Sequence, residues 1–171
     1  MDALMAAESG ENIQYIVIKL GGEQYGINIK YIDNIVRIPA ITRVPKVDEY
    51  IKGVINIRGT IVPVMSLRLV MDMDDDEITD KSRIVIIKTE SDDLIGVIVD
   101  EVYQVLTLNT NNIEKVAHDP NSAKASFITG VGKYEGGLVS ILDLASIELD
   151  NIDGKANARK EDKKEGKKDN K

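Results

Sequence analysis

The side chains best suited to chemistry are few here, and their spacing works against most reactions. His118 is the only histidine and there is no cysteine. Thiolate nucleophiles, disulfides and Cys-ligated zinc or iron-sulfur sites are therefore excluded, and a transition-metal site would have at most one nitrogen ligand. A His-based triad would have to run through that one imidazole, and its neighbours Ala117, Asp119 and Pro120 predict a surface loop. The run Asp72, Asp74, Asp75, Asp76, Glu77, Asp80 begins like a calcium loop. Glu77 stands where that loop needs glycine, and Arg83 stands where it needs a bidentate glutamate, so the run reads as a solvated linker. Gly130-Val131-Gly132 opens like a dinucleotide fingerprint, but Glu135 takes the next glycine position and the context is a hairpin. No hydroxyl and carboxylate are spaced so that one could activate the other. The residues predict no cofactor, no metal and no catalysis.

Arg58 is different in kind. It occupies the turn of a predicted hairpin, where a guanidinium can make directed, paired contacts with carboxylates or carbonyls of another molecule. Asp143 and Ser66 are polar residues in apolar strands, and each is expected to bond a nearby backbone N–H.

The elements that must hold these residues are legible through an internal repeat. Gly26–Val36 aligns without gaps on Gly96–Leu106, with glycine followed by apolar residues at the same positions, at an offset of 70. Tyr50–Val54 then matches Phe127–Val131, and Gly59–Leu67 matches Gly136–Leu144, at an offset of 77. The change of register has a visible source: residues 37–49 in the first copy correspond to the longer stretch 107–126 in the second. The copies span about 13–70 and 83–149, and they predict two related subdomains. Within each copy the strand signals form hairpins: Ile16–Leu20 with Tyr25–Ile29, Ile84–Lys88 with Ile95–Val99, Gly53–Ile57 with Thr60–Val64, and Gly130–Tyr134 with Gly137–Leu142. Pro63 has no N–H to give a ladder, which predicts an edge or a barrel corner for its strand.

Composition agrees with this reading. Among the 171 residues there are 24 Ile and 16 Val against 11 Leu, and β-branched side chains favour strands. Six Tyr and one Phe leave no row of rings on which bases could stack. Five or so short strands per copy predict an all-β chain of two small barrels with few short helices.

Charge is uneven. Gly154–Lys171 carries eight basic and four acidic residues, net +4, and no large apolar side chain, which predicts a disordered basic tail over 153–171. Subtracting those from 22 basic and 29 acidic residues leaves 14 and 25, so residues 1–153 carry net −11. Such a body is a poor ligand for nucleic acid, and the tail alone supports a nucleic-acid-binding small barrel as an alternative of another class. No apolar run approaches the roughly 20 residues of a membrane span. Met1–Ala7 has no basic region ahead of an apolar one and is followed by Glu8, so residues 1–12 read as a flexible N-terminus of a cytoplasmic protein without direct membrane insertion.

The string Gly53-Val54-Ile55-Asn56-Ile57-Arg58-Gly59-Thr60-Ile61-Val62-Pro63-Val64 resembles the signature of the CheW family of bacterial chemotaxis adaptors. Tyr25-Gly26-Ile27 with Ile32 and Ile35, Ile41–Pro45, Gly96–Asp100 and Ile128–Val131 resemble the family's pattern in its order, over about residues 13–149 of a domain spanning 13–152. The resemblance implies two intertwined five-stranded SH3-like barrels. It also implies a scaffold without catalytic activity, linking the regulatory domain of the histidine kinase CheA to the cytoplasmic tips of methyl-accepting chemotaxis receptors. Through those partners the protein would associate with membrane receptor arrays. Carried over by position, Ile32, Asn34, Arg58 and Val105 match receptor-contact positions, and Lys52, Gly53 and Ile61 match kinase-contact positions. The chain departs from the pattern at Asn34, where the family often has Glu, at Ser66, where it often has Asp, and in its basic terminus. A CheW-type scaffold of a different chemosensory-like system is the related alternative.

Overall fold

The computed structural model describes residues 10–116 and 127–145. The expectations for the first residues of the chain, for His118 and for the basic tail lie outside them. In chain order the elements are β1 (Asn12–Leu20), β2 (Glu23–Asn28), a 3-10 turn (Ile29–Tyr31), β3 (Ile32–Arg37), β4 (Ile51–Ile57), β5 (Thr60–Ser66) and α1 (Leu67–Val70). After the acidic segment come β6 (Arg83–Lys88), β7 (Leu94–Val99), β8 (Glu101–Asn109), a 3-10 turn (Thr110–Asn112), β9 (Ile113–Lys115), β10 (Ile128–Tyr134) and β11 (Gly137–Leu142). All four predicted hairpins form, as β1–β2, β6–β7, β4–β5 and β10–β11.

The strands make two sheets, one of six strands in the order β8-β1-β2-β11-β10-β9 and one of five in the order β3-β6-β7-β5-β4. Each sheet mixes the two sequence copies. The first takes β1 and β2 from copy one and the rest from copy two, and the second takes β3–β5 from copy one and β6 and β7 from copy two. The copies are therefore not the barrels, which corrects the reading of one copy as one subdomain. After two strands each copy crosses to the other sheet, and the barrels are intertwined as the resemblance implied.

Three apolar clusters follow from this exchange. Tyr15, Val17, Leu108, Val139 and Ile141 fill the first barrel, and Ile55, Val62, Val64, Ile84, Ile86 and Ile98 fill the second. The largest cluster lies between them and includes Ile16, Ile18, Tyr25, Ile27, Val85, Ile87, Val97 and Val99. Successive residues of β1 and β6 thus point alternately into a barrel and into the shared layer. Both faces of these strands are buried, so their sequences are unbroken apolar runs instead of alternating ones.

Pro63 lies in a strand paired on both sides, by β4 and by β7, so β5 is not an edge. The cost is avoided locally. Pro63 faces Val54, whose N–H and C=O are both engaged with Thr42, at 2.8 and 2.9 Å, and the pairing with β7 begins only at Val64. No ladder bond is asked of residue 63.

Candidate functional site: bulged strands and a hairpin tip

The residues singled out from the sequence fall at irregularities of the ladders. Pairing of β3 with β6 skips Asp33, so Ile32 and Asn34 flank a bulge. Pairing of β8 with β1 skips Tyr103, two residues before Val105. Asp33 and Tyr103 correspond through the offset of 70. On β4 the skipped residue is Lys52, and on β10 it is Thr129, its equivalent at the offset of 77. A bulge re-aims side chains and locally ends regular pairing, which leaves these positions free to serve something other than the sheet.

Ile32 is half-buried and packs on the shared layer, as does Val102, its counterpart on β8. Asn34 turns its side-chain oxygen back to accept the Ile35 N–H at 2.8 Å, a local bond within the bulged edge. Val105 is 52% exposed, directly opposite Ile16 of β1. The structure places these three on the edge strands β3 and β8, one from each sheet.

Arg58 and Ile61 share the tip of the β4–β5 hairpin. Ile57 and Thr60 form the last pair, leaving Arg58-Gly59 as a two-residue turn with φ of 52° and 87°. Positive φ at both positions suits the right-handed twist of a hairpin, and the Asn56 side chain holds the Gly59 N–H at 2.8 Å. Arginine in the left-handed region is strained, a feature found where the side chain itself is needed. Arg58 is exposed and has no ion-pair partner among the described residues. Ile61, on the strand leaving the turn, is 60% exposed.

Lys52 and Gly53 lie at the other end of β4. The Lys52 ammonium pairs with Asp75 of the acidic segment at 2.6 Å, and that ion pair with its hydrogen bond holds the Asp75 carboxyl below the ordinary carboxylate range. Asp76 is next to it, with both carboxylate oxygens shielded from solvent. Desolvation raises its pKa, an effect only partly offset by Ser66 and Lys52. These side chains line an open pocket of about 950 Å³ together with Arg43, Lys46 and Asp48. Gly53 is buried, with φ of 143°, and a Cβ there would stand 2.1 Å from the Thr42 carbonyl oxygen. Its requirement is close backbone approach, which needs no external contact to explain it.

Ser66 behaves as expected: its hydroxyl accepts the Leu69 N–H at 3.1 Å and caps α1. At the equivalent position the Asp143 N–H donates to the Phe127 carbonyl at 2.8 Å, as the Ser66 N–H does to Tyr50 at 2.6 Å. Sequence reasoning passed over several exposed apolar residues, among them Leu138 and Tyr103. Leu138, 61% exposed on β11, is the repeat equivalent of Ile61, and the offset of 77 was the signal that could have found it. Tyr103, at the β8 bulge, carries the Lys19 ammonium 4.0 Å over its ring.

Comparison with known proteins decides the family. The model of the CheW-like domain matches residues 14–149. The chain belongs to the CheW family. The chemotaxis protein CheW of Bacillus subtilis is 35% identical over 143 residues, covering 84% of this chain and 91% of that protein. The chemotaxis protein CheW of Thermotoga maritima is 27% identical, covering 82% and 91%. Among solved structures, the scaffolding protein CheW of Thermoanaerobacter tengcongensis superposes with a TM-score of 0.70 at 30% identity, over 78% of this chain and 86% of that one. Among the described residues no helix is long and apolar enough to cross a membrane.

Proposed function

We propose that this CheW-family chain is a non-catalytic adaptor that couples methyl-accepting chemotaxis receptors to the regulatory domain of the histidine kinase CheA. The observation that carries this reading is the β4–β5 tip, where a strained arginine with no ion-pair partner among the described residues and a 60% exposed isoleucine are held on a two-residue turn. A protein that used this hairpin only for its own core would place glycine in the turn and a polar side chain at 61. Ile32, Asn34 and Val105 on the two edge strands form the receptor-facing set with Arg58, and Lys52 and Ile61 form the kinase-facing set with Gly53 as their backbone support. Such faces bind through modest areas, on the order of 800 Å² per partner or less, and gain strength by repetition in an array.

Titration calorimetry against the isolated CheA regulatory domain tests the reading. Saturable one-to-one heat is expected, lost in Ile61→Asp with its circular dichroism unchanged. In a parallel binding assay with a soluble receptor signalling fragment, Arg58→Ala weakens capture. Absence of heat for the wild-type chain at roughly 100 μM, where a complex of micromolar Kd registers readily, would overturn the kinase coupling.

A further inference from the structure

The shared apolar layer holds the two barrels together through close packing and an attraction that is itself non-directional. Directed side-chain bonds gather at one corner. Asp100 is the single residue between β7 in one sheet and β8 in the other. Its carboxylate accepts Arg68 Nε at 2.7 Å and Nη2 at 2.6 Å, and also the Gly21 N–H at 2.9 Å, while its own N–H donates to the Lys19 carbonyl at 3.1 Å. Arg68 belongs to α1 after β5, and Gly21 to the turn of the β1–β2 hairpin. One carboxylate thus ties the second barrel's last first-copy element, the first barrel's opening hairpin and the crossover between them. The Arg68 and Asp100 side chains are only 18% and 28% exposed, so the pair is partly desolvated and paired in both hydrogen bonds.

The repeat supplies an internal control. The equivalents of Asp100 and Arg68 are Lys30 and Ala145, which cannot form this pair. Lys30 is exposed beside Tyr31, and Ala145 contributes a backbone carbonyl to the Glu90 N–H at 3.0 Å. A molecule built with twofold logic therefore carries a directed ion pair at one of its two crossovers.

We propose that Arg68 and Asp100 form a one-sided latch that fixes the relative orientation of the two barrels, leaving the crossover at Ile29–Tyr31 as the compliant side. The latch sits at the root of β8, so it sets where the face of β8 lies relative to β3. This inference stands apart from the partner assignments, and its test uses no partner.

The chain has no cysteine, so spin labels can be introduced cleanly. Thr60→Cys on β5 and Lys133→Cys on β10, both exposed, report the distance between barrels. Arg37→Cys with Thr60→Cys reports within the five-stranded sheet. In electron–electron resonance on the full chain, Arg68→Ala is expected to broaden the inter-barrel distribution about twofold and to leave the other unchanged. Asp100→Asn should do the same, and Arg68→Lys, which lacks the paired geometry, should fall between. Lys30→Ala should change neither. An unchanged inter-barrel width in folded Arg68→Ala overturns the latch. So does equal broadening of both pairs, which would mark general loosening, and so does broadening by Lys30→Ala, which would remove the asymmetry.

Discussion

At the scale of single residues, the most informative positions are those where local preference is violated. Arg58 pays for a left-handed backbone that glycine would adopt without strain. Arg58→Gly is therefore expected to match or exceed the wild-type stability, by up to about 1 kcal/mol in urea unfolding, while losing receptor-fragment binding. A loss of both together would mean that the guanidinium serves the fold. Arg58 was legible as a candidate because it sits in a hairpin turn where the second copy has Glu135. Its positive φ was not, because Arg-Gly is not one of the dipeptides that announce such a turn. Gly53 shows the opposite limit. A glycine inside a strand was visible, but its reason is the carbonyl of Thr42, brought in by an isolated bridge with no strand signature.

At the scale of elements, periodicity carried most of what could be read. The hairpins were legible because each pairs neighbours across a short turn. Which strands join the hairpins into sheets was not, because the repeat makes β1 and β6, or β3 and β8, equally good partners for one another's neighbours. The exchange is settled by long-range packing, and it leaves a signature in β6. Ile86 points into the second barrel and Ile87 into the shared layer, and both are fully buried. In a strand with one wet face, only one of two successive truncations would be costly. Here Ile86→Ala and Ile87→Ala are each expected to cost about 2–5 kcal/mol, measured as separate shifts in urea midpoint at unchanged m. A near-neutral effect for either would mean that β6 has a solvated face.

At the scale of the whole molecule, the chain is a near-symmetric pair of barrels whose symmetry is broken by charge. The first barrel's crossover carries a bidentate ion pair, and the equivalent crossover carries Lys30 and Ala145. Sequence alone gave no hint of this, since Arg68 and Asp100 lie 32 residues apart and belong to different copies. The pair also predicts how stability responds to acid. The hydrogen bonds from Arg68, joined by the one from Gly21, hold the Asp100 carboxyl below its ordinary value. A carboxyl depressed in the folded state stabilises it above the unfolded value and ceases to do so as pH falls through the folded one. At pH 7, Asp100→Asn should therefore unfold more easily than wild type, by about 1–2 kcal/mol after allowance for partial exposure. As pH falls below the ordinary carboxylate range, near 3.8, the wild type takes up its own proton on unfolding and the two unfolding curves should converge. Urea midpoints of both chains across that window measure the convergence directly. A gap that stays constant down to the lowest pH at which both remain folded would show that Asp100 acts through shape and not through its charge, and the ion pair would lose its role as the feature that sets the two crossovers apart.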